Sequence, residues 1–102
     1  MKNEIVKQAL EIIEEINAGK KLMTVEVSSC GHIVEEWLRE YEENGYKAIK
    51  NATENEVSEA YDECEDYGCE KITVEEVLRQ IASKADCKDE HAGVERVNIW
   101  ER

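Results

Sequence analysis

The sequence predicts a single small domain over residues 1–102, α/β to α+β in class. The expected order is α-β-α-β-α-α-β, a three-stranded sheet packed with four helices. Three observations carry this prediction. Apolar residues recur every three or four positions in four stretches, the mark of one helix face, and alternate in others, the mark of one strand face. Gly, Asn-Gly and Ser/Thr punctuate the stretches at turn and capping positions. The length suits one core, and no repeat or low-complexity linker divides it.

Asn3 is placed to cap a first helix whose stripe is Ile5, Val6, Ala9, Leu10, Ile12, Ile13 and Ile16, wide enough to lie across a sheet or another helix. Gly19 ends it, with Lys20 and Lys21 beside the negative helix terminus. Residues 22–28 alternate, placing Met23, Val25 and Val27 on one face of a strand. Ser28, Ser29, Cys30, Gly31 and His32 form a polar turn into a second helix, where Val34, Trp37, Leu38 and Tyr41 share a face and Asn44-Gly45 is the stop. Residues 46–51 read as a short second strand. Strand, helix and strand then make a βαβ unit, with a right-handed crossover if both strands share a sheet.

Residues 51–70 read as an acidic third helix. Thr53 and Glu56 form a capping box, Val57, Ala60, Tyr61, Cys64 and Tyr67 face inward, and Gly68 is the stop. Thr73 and Glu76 suggest a second capping box, with Ile72 and Val77 as its hydrophobic staple and Val77, Leu78, Ile81, Ala82 and Ala85 inward. Residues 86–93 form a polar loop with Cys87 and His91. The last strand, residues 94–100, has Val97 and Ile99 on one face and Val94 and Trp100 on the other, which predicts cover on both sides.

The formal charge is −12, and it is regional. Residues 30–70 hold thirteen acids against Arg39, Lys47 and Lys50, a net of −10; the rest hold twelve acids and ten bases, a net of −2. Such a field repels nucleic acid and anionic membrane and attracts basic proteins, so direct nucleic-acid binding is not expected. No apolar run reaches the ~18 residues of a membrane span, and the first apolar residues follow a helical period rather than a signal peptide. The expected location is cytoplasmic, where cysteines are thiols or metal ligands.

Two chemical sites are open to the sequence. Cys30 and His32 follow a strand and precede a helix, where a helix terminus lowers a thiol pKa and an imidazole acts as base; the same turn offers N–H groups to an anion. The alternative is that Ser29 caps the helix, Cys30 packs inside and His32 is solvated. Cys64, Cys69, Cys87 and His91 supply the soft donors of a zinc site, yet their spacing departs from a CxxC knuckle and Cys64 already belongs to an apolar stripe. Calcium has no Gly-turn loop of oxygen ligands here, and phosphate-loop and dinucleotide motifs are absent from the sequence. No pair of carboxylates stands out as acid and base. The leading expectation is a non-enzymatic chain without a cofactor; the alternatives are a cysteine-dependent enzyme or anion-binding site at Ser28–His32 and, second, a zinc-stabilised adaptor.

The acidic surface is the leading feature. Glu56, Glu59, Glu63 and Asp66 are expected to form one stripe on the third helix, with Asp62 beside it; Glu36, Glu40 and Glu43 are expected outward on the second. A charge run is usually a solvated face that serves solubility. Concentration on two successive helices, without interleaved Lys along the third, favours a binding surface for a basic protein. Carboxylates every ~5 Å along a helix approach the axial phosphate spacing of one nucleic-acid strand, so the sharper expectation is a nucleic-acid mimic that inhibits a DNA- or RNA-binding protein. In charge and size the chain is similar to phage-encoded inhibitors of host defence. Exposed Tyr61 or Tyr67 would be the natural anchors.

Overall fold

The chain runs α1 (Lys2–Asn17), β1 (Lys21–Ser29), α2 (Glu35–Lys50), α3 (Glu54–Asp66), α4 (Val74–Ser83) and β2 (Ala92–Glu101) in a computed structural model that describes residues 1–31, 33–68, 71–85 and 91–102. Among the described residues this is an α+β fold of four helices and one two-stranded antiparallel sheet.

The expected strand over residues 46–51 is instead the C-terminal part of α2. Asn44-Gly45 does not stop the helix, because Gly45 is buried and serves close packing. A Cβ there would lie 3.2 Å from Ala82 Cβ and 3.2 Å from Val25 Cγ1. The helical face continues through Leu38, Tyr41, Gly45, Ala48 and Ile49, and Ile49 is fully buried. The βαβ unit and its crossover fall away with that strand. Lys47 and Lys50 sit in the last turn, where cations complement the helix dipole.

Helix α1 begins at Lys2, one residue before the expected cap Asn3, with Met1 as N-cap. Its stripe is as the spacing predicts: Val6, Ala9, Ile13 and Ile16 are buried, and Ile5, Leu10 and Ile12 pack on the rim. The helix closes in a Schellman motif. Lys20 N–H donates to the Glu15 carbonyl (2.9 Å) and Gly19 N–H to the Ile16 carbonyl (3.1 Å), with Gly19 at φ 76°. That turn aims the chain directly into β1. Lys21 bridges Glu15 and Glu101 at 3.1 and 3.2 Å, and these two hydrogen-bonded carboxylates raise its pKa.

Helix α4 is the hub. Val74, Val77, Leu78, Ile81 and Ala82 are buried, and it packs against α1, α2, α3 and β2. Burying each of its larger aliphatic side chains contributes about 1.5–3 kcal/mol before chain entropy is charged against it. Thr73 Oγ1 accepts from Glu76 N–H at 3.2 Å, but the Glu76 carboxylate binds Arg79 at 3.3 Å, so half of the expected capping box forms. Ile72 packs on the rim of the core cluster to which Val77 belongs.

The ribbon pairs Lys21 with Glu101 through Ser29 with Ala92. Met23 faces Ile99 and Val25 faces Val97 on the inner side. A bulge then places Glu26 against Arg96 and Val27 against Val94, leaving Glu95 extra. One added residue reverses side-chain parity, so Val94 joins Val97 and Ile99 over the core. The expected cover on both faces is not found among the described residues: Leu22 and its partner Trp100 stand on the outer face, 42% and 44% exposed. That face is otherwise polar, with Arg96 paired to Glu26 at 2.7 Å and Asn98 donating to Thr24 and Glu26.

Candidate interaction surface

Helix α3 carries the densest charge, and its start is well specified. Thr53 Oγ1 accepts from Glu56 N–H and the Glu56 carboxylate accepts from Thr53 N–H, both at 3.3 Å, completing the capping box. Glu54 and Glu56 in the first turn also complement the positive helix end. Val57, Ala60, Tyr61 and Cys64 are buried against α1 and α4. At 100° per residue this fixes the opposite crest as Asn55, Glu59, Asp62 and Asp66. The expected stripe of Glu56, Glu59, Glu63 and Asp66 is thus rotated. Glu56 and Glu63 lie on the flank toward α4.

Glu63 is tied down there. It accepts from Lys84 at 2.6 Å and from Gln80 at 2.7 Å, and the Lys84 hydrogen bond lowers its pKa despite partial desolvation. Asp62 pairs with Lys2 at 2.8 Å. Glu59 and Asp66 are exposed and make no ion pair among the described residues. Tyr61, proposed above as an anchor, is buried; Tyr67, at the C-cap of α3, is 76% exposed.

On α2, Gly45 and Ile49 define the inward face, so Glu36, Glu40, Glu43 and Lys47 form the outward row, as the spacing predicts for the acids. Glu43 pairs with Lys47 at 3.1 Å and Glu35 with Arg39 at 3.2 Å. Glu36 and Glu40 are exposed without an ion pair among the described residues. Trp37 flanks this row, half exposed. Helices α2 and α3 each pack on α4 and α1, which are neighbours of both, and not on one another. Where α2, α3 and α4 meet, Ala48, Glu56, Glu59, Ile81, Lys84 and Ala85 line a groove of about 240 Å³. The acids therefore form two crests separated by α4, rather than one sheet of charge.

The cysteine sites stand as follows. Cys30 is exposed and ends the ribbon, its N–H donating to the His91 carbonyl at 3.2 Å. Helix α2 starts at Glu35 behind an extended Val34, so neither Ser29 nor Cys30 opens it. Ser29 Oγ instead accepts from Gly31 N–H at 3.5 Å within the turn. His32 lies outside the described residues, as do Cys69 and Cys87. Cys64 is buried between α3 and α4, its thiol 3.7 Å from the Glu76 carbonyl. Among the described residues no three His, Cys, Asp or Glu side chains converge on a metal-sized space.

Sequence spacing locates the acids but not their partners: Lys2 and Lys84 are far from Asp62 and Glu63 in the chain and carry no local signal. No helix among the described residues is long and apolar enough to cross a membrane. Comparison with protein-family models, with curated proteins and with solved structures finds no match.

Proposed function

We propose that this chain is a non-enzymatic interaction protein whose acidic helices bind a basic protein, and that the surface bound is one that otherwise holds DNA or RNA. The observation that carries the reading is the net −10 over residues 30–70, with Glu59 and Asp66 on α3 and Glu36 and Glu40 on α2 exposed and outside any described ion pair. A carboxylate held at a surface without a cation of its own raises the local negative potential and steers a basic partner toward it. On the α3 crest, Glu59, Asp62 and Asp66 rise by ~4.5 and ~6 Å, the same order as the axial step between phosphates. Asp62 is only half exposed and shares Lys2, an ion pair that a partner's Arg or Lys displaces at little cost because surface pairs contribute little.

The test is capture of partners on immobilised protein at low salt, with elution in rising salt and competition by DNA and RNA. The expected result is one basic nucleic-acid-binding protein, released by salt and displaced by nucleic acid. A variant carrying E36Q, E40Q, E59Q, D62N and D66N is expected to lose the partner while keeping its circular dichroism and melting cooperativity. Retention of the partner by that variant refutes the reading.

A further inference from the structure

The groove between α2, α3 and α4 has walls of two kinds. Ala48, Ile81 and Ala85 are its apolar part, with Ala85 one helical turn beyond Ile81. Two of these three are alanines, and longer side chains there would fill the space. Glu56 and Glu59, three residues apart on α3 and hence neighbours, are its exposed anionic part.

The two carboxylates have capacity left. Glu56 Oε1 accepts from the Thr53 N–H at 3.3 Å and from the Thr53 hydroxyl at 3.1 Å; the second oxygen has no partner among the described residues. Glu59 has neither ion pair nor hydrogen bond among them. Lys84 also lines the groove, but its ammonium lies 2.6 Å from Glu63, which Gln80 binds as well, and Glu63 is not part of the groove wall. Lys84 therefore contributes its aliphatic stem. Ile81 sits in the last turn of α4, which holds no basic residue, so the negative end of that helix dipole adds to the carboxylates.

An apolar wall beside an anionic one suits a single chemistry, an aliphatic chain that ends in a cation. Arg suits it better than Lys. A guanidinium is weakly hydrated and its fork of donors reaches two carboxylates at once, whereas an ammonium is compact and strongly hydrated. We infer that this groove is an arginine slot: a partner's Arg side chain lays its methylenes on Ala48, Ile81 and Ala85 and sets its guanidinium against Glu59 and the second oxygen of Glu56. The inference deepens the proposed function and rests on it for the identity of the partner as a basic protein. The charged crests supply attraction, and the slot supplies register.

The test titrates protein with isotope-labelled Ala and Ile methyl groups against N-acetyl-arginine methylamide, followed by nuclear magnetic resonance, with the lysine and citrulline analogues in parallel. Citrulline has nearly the shape of arginine and no charge. The arginine compound is expected to shift the Ala48, Ile81 and Ala85 methyls saturably, with lysine weaker by about threefold or more and citrulline by about tenfold or more. The E56Q/E59Q variant is expected to bind the arginine compound about tenfold more weakly. Gln at position 56 still serves the Thr53 capping box, so the fold is kept. Absence of a saturable shift, equal binding of lysine or citrulline, or unchanged binding by E56Q/E59Q overturns the inference. A second variant, A85L, fills the groove and removes no charge. In the capture experiment it is expected to release the partner at lower salt than the parent. Release at unchanged salt overturns the slot and leaves the acidic crests as the binding surface. Capture of no partner by a parent whose slot titrates as expected overturns the proposed function and not the slot.

Discussion

Replacing Gly45 by Ala tests the packing that turns residues 46–51 from an expected strand into helix. In an unconstrained helix interior this change stabilises by about 1 kcal/mol, because glycine loses more backbone entropy on folding. Here the new methyl meets two groups at 3.2 Å. Ala82 Cβ has no rotamer to turn away, and Val25 is held in the core with 6% of its surface exposed. Overpacking of this kind costs about 1–3 kcal/mol, so the net expectation is a loss of up to about 2 kcal/mol. Urea unfolding followed by circular dichroism reads this as a lower midpoint at unchanged slope, and a loss of 1 kcal/mol corresponds to a melting temperature about 4–8 °C lower. Adding A82G removes one of the two contacts, so the double variant is expected to show favourable coupling of about 1 kcal/mol. A G45A protein that is more stable than the parent by the full helix-propensity gain refutes the reasoning: α2 would then have room to draw back from α4 and β1.

Two further outcomes follow from the side-chain environments. Glu63 has a lowered pKa through Lys84, so its contribution is present above the ordinary carboxylate range and is lost as pH falls through the lowered value. Both side chains are over a third exposed, so E63Q is expected to cost at most about 1 kcal/mol at neutral pH and low salt, with the difference from the parent vanishing in acid; urea midpoints across pH check this. In a background with Cys69 and Cys87 replaced by Ser, a thiol reagent is expected to label Cys30 in the native protein and Cys64 only through opening of the α3–α4 interface, slower by about a hundredfold or more.

What the sequence makes legible is what local periodicity encodes. The stripes of α1, α3 and α4 and the alternation of β1 match the buried residues, except that Tyr67, expected inward on α3, lies at its C-cap and is exposed, and both Thr caps form because a cap is a contact between residues three apart. The errors arise where a distant residue decides. Asn44-Gly45 has the chemistry of a turn, and only Ala82 and Val25 explain why glycine sits inside a helix. Alternation alone puts Val94 on the outer face, because a bulge is a property of two strands and Glu95 alone does not announce it. The acidic crest was legible to within one helical position: Val57, Ala60, Tyr61 and Cys64 are all buried, but which carboxylates turn toward α4 depends on Lys84 and Gln80. The outward row of Glu36, Glu40 and Glu43 on α2 follows from the spacing, since the inward face continues unbroken past Gly45.

The ribbon also orders events during synthesis. Ser28 and Gly93 meet across 65 positions of chain, and all of α2, α3 and α4 lie between the two strands. At ribosomal rates of about 5–20 residues per second, β1 waits several seconds with both edges open. The helices have their contacts with α4 available before β2 exists. A separation this long raises the contact order, which correlates with slower folding. During that interval a nascent chain is most exposed to strand exchange with its neighbours on the same message.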